Sequence, residues 1–312
     1  MLRLAFQHLV YHIHTLYLFI FSDLKTIILP STLFGIVNSL LSPAYGLDLG
    51  PNQTPSLTDA LTRTPTVLLW IVLNFIPFAI SNQNSLPAIA EDLVNKPWRP
   101  IPQRRITGSQ AFVLMLAFHS LSQLYGLFAP NGAGEHQSLL LLVLGTWYNN
   151  LGGADSNPVT RNLINALGYI CFTSGSLEVA IQRRLVFSLS DTSCLSRWFL
   201  IITGIIFSTV HLQDMSYQVG DARRGRRTVP LVFGDGAARW TISIPMVVWG
   251  FVCPAFWGAR WYSPAFLMSL GLACAISSRV LVIRSVKGDR ATFRLWNGWI
   301  ALVFLMPLLV RL

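Results

Sequence analysis

The chain has 312 residues, 53% of them hydrophobic and only 12% charged, and its mean hydropathy is +0.52. Soluble domains carry about 25% charged residues, so a soluble catalytic module is excluded and the expected fold is all-α: a multi-pass helical membrane bundle forming a single domain over 1–312. The net charge of +10 would point to nucleic acid in a soluble protein. In so apolar a chain it reads instead as basic cytoplasmic loops, with the lipid bilayer as partner and no nucleic acid.

In chain order, residues 4–22 ("LAFQHLVYHIHTLYLFIFS") are apolar, contain three histidines and lack a small-residue cleavage site. They read as an interfacial or partly buried helix, not a signal peptide. Membrane spans need roughly 17–25 mostly apolar residues. Nine windows qualify, near 26–46, 65–82, 108–128, 137–151, 160–180, 195–212, 237–257, 262–284 and 294–310. The fourth is short and the fifth is polar. The N-terminus and the loops after spans two, four, six and eight hold most of the bases, including Lys96, Arg99, Arg104, Arg105, Arg161, Arg223, Arg224, Arg226 and Arg227. This bias places the N-terminus and both basic loops in the cytosol. On the opposite face Asn52 opens an "NQT" glycosylation sequon. Cys171, Cys194, Cys253 and Cys274 are scattered without metal spacing and read as small packing residues.

Two segments concentrate charge: "SNQNSLPAIAEDLVNKPWRPIPQRRITG" at 81–108 and "HLQDMSYQVGDARRGRRTVPLVFGDG" at 211–236. Each begins at the cytosolic end of a span. Each gives polar and acidic residues at helical spacing, then a basic loop, then Pro and Gly. Glu91, Asp92, Asp214 and Asp221 are four of only 13 acids in the chain. The shared order reads as an internal repeat with two half-bundles facing each other. Acids at a membrane surface suit Mg²⁺, which is held by one or two carboxylates plus substrate phosphates. Arg and Lys then grip the remaining phosphate oxygens. A phosphate ester with a greasy tail, an isoprenyl diphosphate, would set its head between the two stations and its tail in the bundle. A solvated topology charge is the competing reading for each base, and Arg104, Arg105, Arg224 and Arg226 suit it as well. A transporter also tolerates repeats and intramembrane polar residues, but both acid stations lie at one membrane face, not at the midplane.

The chain resembles the UbiA superfamily of membrane prenyltransferases and terpene cyclases, particularly a fungal-looking branch. The residues that carry the resemblance are "DLKTIILPSTLFG" (23–35), "NQ" (82–83), "EDLVNKPWRPIP" (91–102), "WYNNLGGAD" (147–155), "RNLINALGY" (161–169), "QD" (213–214) and "GDARRGRRTVPLVFGD" (220–235). The resemblance implies nine transmembrane helices around a central cavity, two Asp-rich motifs, Mg²⁺ and an isoprenyl diphosphate. Farnesyl length is the guess it supports. On this reading Asp92, Asp214 and Asp221 are catalytic and hold the metal, with Glu91 as a further ligand. Lys96, Arg99, Arg223 and Arg227 bind diphosphate, assisted by Asn82 and Gln218. Tyr148 and Asn149 act at the cavity, and Trp147, Tyr169, Phe172 and Tyr217 are further lining candidates. Two usual carboxylate positions are occupied by Ala88 and Tyr217, which puts metal binding in doubt. The cation formed on ionisation is either captured by a small acceptor, aromatic or polyketide-derived, or attacked by the tail's own double bond. The residues read here concern the half of the reaction that both outcomes share; the resemblance to the superfamily as a whole puts transfer slightly ahead, and the fungal-looking branch, which includes terpene cyclases, pulls the other way. The expected location is a multi-pass membrane protein, of the endoplasmic reticulum if the source is a fungus.

Overall fold

A computed structural model describes residues 2–47, 54–185 and 193–311, and the sequon at Asn52 lies outside them. Helix α1 (Leu2–Ile20) runs through a 3₁₀ turn (Phe21–Asp23) and a π turn (Leu24–Ile28) into α2 (Leu29–Leu40). The segment read as a separate interfacial helix is therefore continuous with the first span. Residues 3–14 are exposed, whereas Thr15, Phe19 and Ile20 are buried. Helix α3 (Leu57–Gln83) starts at a capping box in which the Ser56 hydroxyl and the Asp59 carboxylate exchange hydrogen bonds with each other's backbone N–H. The short α4 (Leu86–Asn95) leads into α5 (Gly108–Phe128), which also begins at a capping box, from Thr107 and Gln110.

Helix α6 (Glu135–Asn149) has 15 residues and so spans about 22 Å, short of the ~30 Å bilayer core. It occupies the fourth predicted window. Helix α7 (Pro158–Ile181), the polar fifth window, is the most enclosed of the spans, with 78% of its most apolar stretch buried. Its polarity is explained by that position, because its Ser, Thr and Asn side chains meet other helices and not lipid. Helix α8 (Cys194–Thr209), the short α9 (Gln218–Arg224) and α10 (Val229–Phe233), then α11 (Asp235–Phe256), α12 (Pro264–Val282) and α13 (Val286–Leu309) complete the bundle. Among the described residues there is no strand. Eight helical runs are long and apolar enough to cross a membrane, and α6 supplies the shorter ninth.

The helices cross closely where small residues meet. A Cβ at Gly35 on α2 would lie 2.6 Å from the Ser176 carbonyl oxygen on α7, and one at Gly175 would strike the Trp70 ring of α3. In a bilayer such packing, not hydrophobic exclusion, holds helices together.

Candidate active site

Helix α3 stops at Gln83, and the Ser85 hydroxyl accepts the Ala88 N–H, which restarts the chain as α4 with Pro87 in its first turn. Ala88, Glu91 and Asp92 follow at helical spacing and form the buried face of α4. The second station leaves α8 through two 3₁₀ turns (Val210–Leu212 and Asp214–Ser216) into α9. That helix ends at Gly225, whose φ of 80° is the left-handed turn glycine adopts without strain. The turn folds Arg226 back over α9, with its N–H donating to the Asp221 carbonyl at 3.0 Å. The two short helices press together where Gly220 faces Asn95. A Cβ there would strike the Asn95 amide, which donates to the Tyr217 carbonyl at 3.4 Å.

The acids of both stations are engaged by arginine. Arg99 Nη1 lies 2.8 and 3.0 Å from the two oxygens of Asp92. Arg161, from α7, grips Asp214 by both edges of its fork (2.9 and 3.2 Å) and donates to the Tyr148 hydroxyl at 2.7 Å. Arg226 ties the stations together: its Nη1 donates to Glu91 at 2.9 Å and to Asp221 at 3.2 Å, while its Nε reaches Asp155 at 3.1 Å. Arg224 bonds Glu91 and Asp155, and the Asn82 amide oxygen accepts from both Arg224 and Arg226. Lys96 sits over the Tyr217 ring at 5.0 Å and reaches the Ser22 hydroxyl at 3.5 Å. Burial, with the nearby Arg99 charge, pushes its ammonium down to about 8.

A charged pocket lies between the stations, lined by Asp23, Asn82, Glu91, Lys96, Arg99, Tyr148, Arg161, Gln213, Asp214, Tyr217, Asp221 and Arg226. It adjoins an apolar cavity walled by Ile27, Phe75, Phe78, Leu141, Leu144, Ile164, Tyr169 and Phe172. Asp23, Phe75, Phe78, Asn82, Tyr148 and Gln213 border both. The aromatic rings are packed edge-on or tilted, as at Phe75–Phe172 (5.9 Å) and Phe78–Tyr148 (5.5 Å). Their faces suit a cation.

The structure brings Asn82, Glu91, Lys96, Arg99, Tyr148, Asp214 and Asp221 to this pocket. Other expected site residues lie elsewhere. Asp92 is buried behind the pocket with both oxygens on Arg99. Asn149 turns to the far side of Phe78, donating to its carbonyl. Gln218 donates to the Met215 carbonyl and to Asp235. Arg223 and Arg227 are exposed, and it is Arg224 and Arg226 that turn inward, because the reversal at Gly225 inverts which bases of the run face the acids. Sequence reasoning gave no role to Asp23, Asp155, Arg161 or Gln213. Arg161 had a readable signal, a base in the first turn of a span near the membrane face; Asp23 had only its place at the head of the segment 23–35 that carries the resemblance.

Among the described residues no three Asp, Glu, His or Cys side chains converge as a metal-binding group. Asp92, Asp214, Asp221 and Glu91 therefore do not form an all-protein cage. One donor stands ready: Asp221 Oδ2 is buried without a partner. Burial and the neighbouring Asp214 charge push the Asp221 carboxyl up. Burial also opposes ionisation of Glu91, but Arg226 and Arg224 outweigh it and hold that carboxyl low. Such a donor set fits a Mg²⁺ carried on a diphosphate, which asks for only one or two carboxylates.

A profile of the UbiA prenyltransferase family matches residues 40–299. The chain is 27% identical to fumagillin beta-trans-bergamotene synthase of Aspergillus fumigatus over 96% of its length and 93% of that protein. It is 27% identical to somaliensene A/B synthase of Streptomyces somaliensis over 93% of this chain and 90% of that one. It is 26% identical to a polyprenyl transferase of Hericium erinaceus over 94% and 93%. Its backbone is similar to that of a UbiA homolog from Archaeoglobus fulgidus bound to GPP and Mg²⁺, with a TM-score of 0.58 and 15% identity over 91% of this chain and 98% of that one. A profile match that covers most of the sequence, on a bundle of this fold, makes the chain a member of the UbiA prenyltransferase family and a multi-pass integral membrane enzyme.

Proposed function

We propose that the chain is a membrane terpene cyclase that ionises an allylic isoprenyl diphosphate, of farnesyl length, and closes the tail on itself. The observation that carries this reading is a pocket rich in Arg and Lys that shares six wall residues with an aromatic-walled cavity beside it. The diphosphate head suits the first and the hydrocarbon tail the second. Similarity over at least nine-tenths of both chains to the beta-trans-bergamotene and somaliensene A/B synthases supports cyclisation over the transfer that the family resemblance put slightly ahead.

Arg226, Arg161, Arg99 and Lys96 donate to the diphosphate oxygens as the C–O bond lengthens. Bound Mg²⁺, on Asp221 and Asp214, would supply further neutralisation of the leaving group's charge. Asn82 and Tyr148 stand at the neck between pocket and cavity and orient the scissile bond. Phe75, Phe78 and Phe172 wall the cavity, where ring faces would stabilise the allylic cation and the apolar lining would keep water away. The basic loops face the cytosol, so water-soluble diphosphate enters from that side.

Transfer remains the second reading on one observation. A side chamber lined by Ser81, His119, Thr146, Asn149 and Asn150 lies beyond Phe78 and could seat a neutral, hydrogen-bonding acceptor. The test is an incubation of membranes containing the protein with farnesyl diphosphate and Mg²⁺, without acceptor, read by headspace mass spectrometry and diphosphate release. A cyclic hydrocarbon with stoichiometric diphosphate supports cyclisation. Release only on adding a phenolic or polyketide acceptor supports transfer. No release with geranyl, farnesyl or geranylgeranyl diphosphate overturns both.

A further inference from the structure

The helix that begins at Leu2 does not run evenly to Leu40. It tightens to 3₁₀ over Phe21–Asp23 and widens to a π turn over Leu24–Ile28. Asp23 sits at the junction with φ −107° and ψ 1°, in the sparsely populated bridge region where active-site residues are often found. Short π segments inside helices likewise cluster at functional sites. The effect here is specific: the altered turn brings Asp23, Thr26 and Ile27 to the wall of the apolar cavity.

Asp23 differs from every other acid near the site in two ways. No other Asp or Glu lines the apolar cavity. Of the four carboxylates that line the charged pocket, Glu91, Asp214 and Asp221 each form an ion pair with arginine, whereas among the described residues Asp23 forms none. Its hydrogen bond comes from the Ser22 hydroxyl, at 2.7 Å to Oδ2. One carboxylate oxygen is thus left without a donor among the described residues, at the border between the leaving group's pocket and the tail's cavity. The tyrosines of the cavity are not bases at neutral pH.

Resting on the cyclase reading, we propose that Asp23 is the proton acceptor that ends the reaction. A C–H bond next to the cationic carbon breaks and its electron pair becomes the new C=C bond. The proton passes to the Asp23 carboxylate, leaving a neutral hydrocarbon and a carboxylic acid that returns its proton to solvent. Thr26 and Ile27, one turn further on, hold the tail against this edge of the cavity.

The test compares wild type, Asp23→Asn and Asp23→Glu in membranes with farnesyl diphosphate and Mg²⁺, reading diphosphate release and the product profile separately. In Asp23→Asn, release is expected to persist. The hydrocarbon share of product should fall by about tenfold or more, since a positioned base is worth roughly 10²–10⁴, with water-captured terpene alcohols in its place. Asp23→Glu should restore most of the hydrocarbon. An unchanged hydrocarbon-to-alcohol ratio in Asp23→Asn overturns the proposal and leaves the released diphosphate as the base. Loss of release and hydrocarbon together, in a variant that still inserts, also overturns it and makes Asp23 a binding or structural residue. Absence of release in wild type is a different failure, that of the underlying reading.

Discussion

Arg226 bonds one acid from each charged station, Glu91 and Asp221, as well as Asp155. Removing it leaves buried carboxylates without a partner. Arg226→Ala is therefore expected to lower stability by about 3–5 kcal/mol and abolish diphosphate release. Arg226→Lys should not rescue it, because one ammonium cannot reproduce the fork. Arg223→Ala and Arg227→Ala, on exposed side chains, should leave both nearly unchanged, as melting curves and release assays on the purified variants would establish. Equal losses at 223 and 226 would contradict the assignment. Asp221→Ala should cut turnover by at least about 10²-fold while the protein still inserts, and Asp92→Ala should do the same by freeing Arg99 to leave the pocket. The sequence made this region conspicuous but not its facing. Four arginines in five residues read alike, and only the left-handed turn at Gly225 decides which two point inward. Asp23 was legible only as the head of a segment that resembles the family's first span; charge and hydropathy do not show that the π turn brings it to the cavity wall.

At the scale of the helix, close crossings carry the assembly. A methyl at Gly35 would meet the Ser176 carbonyl at 2.6 Å, whereas one at Gly298 on α13 meets nothing within 4 Å. Gly35→Ala should lower stability by about 1–3 kcal/mol through overpacking, and Gly298→Ala should be neutral or slightly stabilising. Detergent thermal melts separate the two. Gly220→Ala tests a different contact, between α4 and α9. It should lower activity more than stability, since it moves Asp221 relative to Glu91. Helix identity was legible from hydropathy, because long apolar runs leave few alternatives in lipid. The predicted windows missed what hydropathy does not encode. A window sees neither the continuity of α1 with α2 nor why α7 is polar, and α7 is polar because it is enclosed.

For the whole molecule, the bias of the basic loops predicts which face of the bundle meets the cytosol. In a cysteine-free background, Gln103→Cys and Ala222→Cys should react with an impermeant maleimide on sealed microsomes. Tyr262→Cys, between α11 and α12, should react only after permeabilisation; the opposite pattern would invert the topology. The paired charges of the pocket also set an order of arrival. A free cation meets Glu91, Asp214 and Asp221 already matched by arginine, so magnesium alone has little to gain by binding. On the proposed function, a diphosphate would bring the acceptors that draw those guanidinium groups away and so release the carboxylates in the same event. Magnesium chloride alone should leave the melting temperature where it was, and a non-hydrolysable diphosphate analogue with magnesium should raise it. The pocket would then be switched on by its own substrate, and the cellular magnesium pool would act only on molecules already loaded.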